Sequence, residues 1–125
     1  MSEDNNMIRV LKIEPGKAPY EKEISNELEG SQGEVDGLID CMPLPNGCVA
    51  VINDESKLNG MEPNRRYEND IICGPFFICG DGPDGDFISL TDEQIAQFTE
   101  KFGEIEAFTG NEPELEPHIE VMTWG

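Results

Sequence analysis

Apolar residues along this chain come mostly in short, strand-like runs, and one later stretch has helical spacing. In the first run, Met7 to Ile13, Ile8 and Val10 alternate with Arg9 and Leu11, which predicts a strand with one face better buried. Pro15-Gly16 signals a turn, and residues 18–24 complete a hairpin. Residues 26–35 predict a weak helix. Ser25 or Asn26 can cap it, and Leu28 and Val35 share one face, but Gly30 and Gly33 each cost about 1 kcal/mol relative to Ala. Residues 38–44 and 48–53 predict a second strand pair, joined through Pro45-Asn46-Gly47, where Asn-Gly supplies the positive φ angles of a tight hairpin turn. A turn follows at 54–57, and 58–69 read as irregular. Residues 71–73 and 76–79 read as one central apolar segment, bent or bulged at Gly74-Pro75.

The strongest local signal lies further on. Thr91-Asp92-Glu93-Gln94 forms a capping box, and Ile95, Phe98 and Phe102 then fall on one helical stripe, ended by Gly103. The fold class expected is α+β: a small, mostly antiparallel sheet with one well-specified helix over 91–102 and a marginal helix over 26–35. The domain is expected to span 7–103, between a polar N-terminal extension (1–6) and an acidic C-terminal segment (104–125). In that segment Ile119, Val121, Met122 and Trp124 either dock as an edge strand or contact a partner.

Charge changes this picture. The 125 residues carry 27 acids against eight bases, a net charge of −19. Two carboxylates ~10 Å apart repel by ~0.4 kcal/mol in water, so the summed repulsion opposes compactness. Such a chain is unsuited to binding nucleic acid directly, which takes phosphate-neutralising Lys and Arg. It is suited to presenting negative charge to a basic partner. The candidate acidic surface comprises Asp81, Asp84 and Asp86 of the loop 81–86, with Glu104, Glu106, Glu112, Glu114, Glu116 and Glu120 of the C-terminal segment.

Candidate chemistry is sparse. No nucleophile elbow, zinc-protease helix motif, P-loop or dinucleotide fingerprint occurs, so no catalytic residue and no cofactor are expected. The lone histidine, His118, reads as an incidental surface residue. Cys41, Cys48, Cys73 and Cys79 lack zinc spacing and read as small buried hydrophobes, and the 81–86 loop lacks the EF-hand order, so no metal is expected. The absence of a long apolar run and the acidic MSEDNN start predict a cytoplasmic protein without a membrane span. One segment breaks the acidic habit: three of the eight bases lie between Lys57 and Arg66, among asparagines. Asn53, Lys57, Asn64 and Arg65 are therefore candidates for holding a small anionic, nucleotide-like ligand. The alternative is that these bases pair with neighbouring acids.

The runs MIRVLKIEPGK (7–17), VDGLID (35–40), CVAVINDESKLNGMEPNR (48–65) and DIICGPFFICG (70–80) together resemble a family of small domains of unknown function. The family is met in gut bacteria, phages and conjugative elements, often beside antirestriction genes. Its distinctive stretch, N-x-E-G-K followed by Gly and P-N-R, falls on Asn53, Glu55, Lys57, Gly60, Pro63, Asn64 and Arg65, with Ser56 where Gly is common. The resemblance covers about residues 7 to 103 and implies Met7 as the usual start. It implies no activity, only genetic company. Three functions follow as expectations. The first is a non-enzymatic inhibitor, carried by a mobile element, that covers the basic nucleic-acid-facing surface of a host restriction or CRISPR nuclease. The second is a sponge for a nucleotide-like signal, built on the Lys57–Arg66 loop. The third is an accessory module with no defence role.

Overall fold

The computed structural model describes residues 7–68, 70–83, 86–109 and 112–115. A six-stranded antiparallel sheet forms its centre. In order across the sheet the strands are β2 (Tyr20–Ser25), β1 (Met7–Ile13), β7 (Phe76–Asp81), β4 (Cys48–Asn53) and β3 (Ile39–Leu44), with β8 (Phe87–Ile88) also paired to β7. Helix α1 (Leu28–Val35) lies on one face. On the other face lie helix α2 (Asp92–Lys101) and a separate two-stranded sheet of β5 (Pro63–Tyr67) and β6 (Asp70–Cys73). The α+β reading is thus the observed one.

Layers on both faces explain why the central strands are so uniformly apolar. In β7, Phe76 and Ile78 enter the α2 core while Phe77 and Cys79 enter the α1 core. Strand β1 does the same: Leu11 and Ile13 face α2, whereas Ile8 and Val10 face α1. The expectation of one better-buried face on β1 is corrected here, because Val10, Leu11 and Ile13 are all essentially inaccessible.

Helix α2 begins at its expected cap, whereas α1 begins at Leu28, two residues later than expected. Thr91 accepts from the Gln94 N–H at 3.1 Å, and the Gln94 side chain accepts from the Thr91 N–H at 2.9 Å, completing the capping box. Ile95, Phe98 and Phe102 are buried. Thr91→Ala is expected to lower stability by about 1 kcal/mol, read as an earlier urea midpoint at unchanged slope. Helix α1 has no such cap. Glu27 occupies its N-cap position without a side-chain bond, and Asn26 instead donates to the Phe87 carbonyl at 3.0 Å, so neither Ser25 nor Asn26 caps the helix as expected. Packing holds α1. Ser31 and Val35 are buried, and Glu34 accepts from both Lys12 (2.6 Å) and Lys22 (3.0 Å) of the sheet below. Gly30 is needed there, since a Cβ would lie 2.5 Å from the Ser25 carbonyl oxygen.

Three further expectations are corrected. Residues 63–67, read as irregular, form β5. The segments 71–73 and 76–79 are not one bent strand but members of two different sheets. Gly74, at φ 77°, turns the chain between them, and a side chain there would strike Met61. Cys48, Cys73 and Cys79 are buried with their thiols pushed up by burial, but Cys41 is exposed on the edge strand β3. The open edge of β3 is blunted, because the Cys41 N–H donates to the Asp40 carboxylate (2.9 Å) and Pro43, at the next alternate position, has no N–H. Ile119, Val121, Met122, Trp124 and His118 lie outside the described residues.

Candidate functional site

The Asn53–Arg66 stretch leaves the end of β4, turns through 54–60 and returns as β5. Three of its four candidate ligand-binding residues face inward. Asn53 is buried. Its amide donates to the Val35 carbonyl (2.9 Å) and the Asp36 carbonyl (3.3 Å), and its oxygen accepts from the Glu55 N–H (2.7 Å). It therefore caps the C-terminus of α1, whose last carbonyls lack intrahelical partners. Asn64 sits at the bulge where the β5–β6 register shifts, and its amide donates to the carbonyls of Ile13 (3.0 Å) and Gly74 (2.9 Å).

Arg65 is only 1% exposed. Its guanidinium donates to the carbonyls of Phe102 (2.8 Å), Lys17 (2.6 Å) and Asn64 (3.1 Å), and to the Asn64 side-chain oxygen (2.8 Å). Phe102 is the C-cap of α2, so Arg65 satisfies the negative end of that helix. Burial pulls the guanidinium pKa down and Glu106 pulls it back up. It stays protonated, as guanidinium groups in proteins do. A buried cation held by carbonyls alone is costly, but the body around it carries a net −19, whose field favours positive charge inside.

Lys57 lies at a surface cleft that the buried Asn53 also lines, and there it pairs with Asp70. The proposed anion site is therefore not assembled: the donors of Asn53, Asn64 and Arg65 are committed to the protein's own carbonyls.

The cleft itself, about 370 Å³, lies between the β3–β4 end of the main sheet and the β5–β6 hairpin. Met42 and Ile52 come from the sheet, Tyr67, Ile71 and Ile72 from the hairpin, and Leu58 from the turn. Among the described residues, Asp40, Asp54, Glu55 and Asp70 line its margins against Lys57 alone. Among the described residues no cluster of His, Cys, Asp and Glu is arranged to hold a metal ion, and no helix is long and apolar enough to cross a membrane.

The described candidate acidic residues are spread rather than gathered. Asp81 and Asp86 are exposed beside the β3–β4 turn, where the Asp81 N–H donates to the Gly47 carbonyl. The same turn receives the N-terminal end of α2, through Gln94 donating to the Asn46 carbonyl. Glu104 is exposed just past the opposite end of α2, and Glu106 accepts from the Arg66 N–H at 3.0 Å. A ten-residue helix is about 15 Å long, which separates the two groups. Glu93 and Glu100, exposed and two turns apart on one side of α2, lie between them. Glu112 accepts from the Thr109 N–H. Asp84, Glu116 and Glu120, and the side chain of Glu114, lie outside the described set.

The cations are disposed quite differently. Arg9 bonds Asp92 (2.7 Å) and Glu21 (3.0 Å), and Lys12 and Lys22 share Glu34. Lys17 pairs with Glu14 at 3.2 Å and Lys57 with Asp70. Arg65 is interior, and Lys101 sits 5.1 Å above the Tyr67 ring. These bases are thus occupied by partners within the protein.

A family model described as a domain of unknown function, DUF3846, matches residues 8–103. The chain belongs to that family. The match ends at Gly103, just past the α2 C-cap that Arg65 holds, so the matched DUF3846 region takes in both helices and both sheets. No curated protein and no solved structure matches the chain.

Proposed function

We propose that this DUF3846 protein acts by binding, as an acidic module that covers a basic, nucleic-acid-facing surface of a partner protein. One observation carries the reading: the cations are consumed internally, while carboxylates on several elements stand exposed without an ion pair. Asp54, Glu55, Glu93, Glu100 and Glu104 are examples. An outward negative field of this kind raises association rates with a positive surface and disfavours anionic ligands. The sponge reading loses support for the same reason, and because its Arg and Asn donors are already spent.

The partner class is a host defence nuclease of restriction or CRISPR type, whose DNA or RNA channel is basic. The chain's resemblance to a family found on mobile elements supports that choice. The test is competition: a labelled duplex bound to such a nuclease, or to its guide complex, is followed by fluorescence anisotropy while the protein is titrated in. Displacement is expected at low salt, with potency falling steeply as salt screens the contact. No displacement by excess protein at low salt, or a potency indifferent to salt, would count against the proposal.

A further inference from the structure

The groove between the β3–β4 end of the sheet and the β5–β6 hairpin combines two properties. It is concave and about 370 Å³ in volume, and apolar side chains open into it: Met42, Ile52, Tyr67, and Leu58, which is 61% exposed. A soluble protein gains nothing by leaving Leu58 in water beside such a hollow, and exposed apolar surface rimmed by polar groups marks interaction sites. The rim supplies the second property. Asp40 on β3 and Asp54 and Glu55 on the turn are exposed carboxylates, and Lys57, the only cation lining the groove among the described residues, already belongs to Asp70.

We infer that this groove is the anchor point for an arginine side chain of the basic protein partner. The inference rests on the binding role proposed above and gives it a location. An arginine has an aliphatic stem to lie on Met42, Ile52 and Leu58. Its planar guanidinium can bond carboxylates from two elements at once and stack on an aromatic ring such as Tyr67. Lysine has a comparable stem but ends in a compact, strongly hydrated point charge, which fits a divided rim less well. Interface energy concentrates where a large side chain fills a desolvated pocket, and arginine is among the residues most enriched at such places. On this account the remaining carboxylates, including those on α2, steer the encounter, and the groove fixes the register.

The test uses the full chain and an acetylated hexa-arginine peptide, titrated calorimetrically at low salt. The Asp40→Asn, Asp54→Asn double variant is expected to bind about tenfold more weakly, the cost of removing charged partners at a partly desolvated site. Asn at position 40 keeps the oxygen that caps the Cys41 N–H, so the fold should stand. Asp54→Asn with Glu55→Gln provides a second pair if it does not. The Glu93→Gln, Glu100→Gln variant removes the same charge from α2 and is expected to stay within about twofold of the parent, as for exposed charges. Leu58→Ala is expected to weaken binding without changing its salt dependence. Equal losses in the groove and α2 variants would overturn the anchor while leaving the general acidic-surface reading intact. Hexa-lysine binding as tightly as hexa-arginine would overturn the assignment to arginine. No binding of hexa-arginine at low salt would remove both this inference and the role on which it rests.

Discussion

Replacing Arg65 with methionine is expected to lower the unfolding free energy by about 3–5 kcal/mol. The size follows from what the guanidinium holds. It bridges the β1–β2 turn at the Lys17 carbonyl, the end of α2 at the Phe102 carbonyl, and the Asn64 bulge on its own strand. Methionine can fill much of the volume but leaves those oxygens buried without a donor, each at the cost of an unsatisfied buried group. Arg65→Lys separates charge from geometry. It keeps a positive charge in the negatively charged body, yet a single ammonium cannot reach three diverging acceptors, so a loss of about 2 kcal/mol is expected. Urea unfolding at neutral pH measures both, as shifts of midpoint at constant slope. If Arg65→Met unfolds within about 1 kcal/mol of the parent, the bonds are incidental to stability. Full retention in Arg65→Lys would mean that charge alone matters there.

Arg65 also shows where sequence reading reaches its limit. Helix α2 was legible because its signals are local: a capping box spans four residues and a 3.6-residue stripe spans about two turns. The β3–β4 hairpin was legible for the same reason, since Asn46 and Gly47 take the positive φ values that such a pair predicts. Strand β5 reads Pro-Asn-Arg-Arg-Tyr, a polar string, and a polar/apolar pattern cannot tell a solvated loop from a strand buried through hydrogen bonds. Arg65 and Asn64 therefore resembled ligand-binding groups, when their acceptors outside this pair lie between 10 and 51 residues away in the chain. The sheet boundary at Gly74-Pro75 was hidden because both flanking segments are equally apolar, and only the pairing partners differ. The groove could not be read at all. Its walls come from residues 40 and 42, 52–58, and 67 and 70–73, which meet only once the hairpin folds over the sheet. The acidity was plain from composition, but its arrangement was not: Asp81 and Glu104 lie at opposite ends of α2, and the α2 face and the groove margin carry acids that were not singled out.

Glu34→Gln is expected to cost about 3 kcal/mol at neutral pH. One carboxylate oxygen, on a side chain 15% exposed, serves Lys12 at 2.6 Å and Lys22 at 3.0 Å. Lys12 is the sensitive partner, because its side chain is only 7% exposed and points from β1 into the α1 layer. A neutral amide at 34 leaves that ammonium buried without a counter-charge, whereas Lys22, at 39% exposed, can turn to water. Removing the orphan should restore much of the loss, so the Lys12→Met, Glu34→Gln double variant is expected to be more stable than Glu34→Gln alone. The pH dependence has a definite sign. Burial raises the Glu34 pKa, but the bonds from Lys12 and Lys22 outweigh it, and the carboxyl titrates below its ordinary value. Its contribution is then complete above the unfolded pKa of about 4.3 and disappears as pH falls through the lower folded value. The parent should therefore lose stability in acid faster than Glu34→Gln, and the two urea midpoints should converge as pH falls below the ordinary carboxylate range. A gap that stays constant from neutral to acid pH would mean that the substitution acts through packing of α1 rather than through charge. Recovery in the double variant, with convergence in acid, would place the stability of this weakly helical segment in one buried carboxylate rather than in the helix's own sequence.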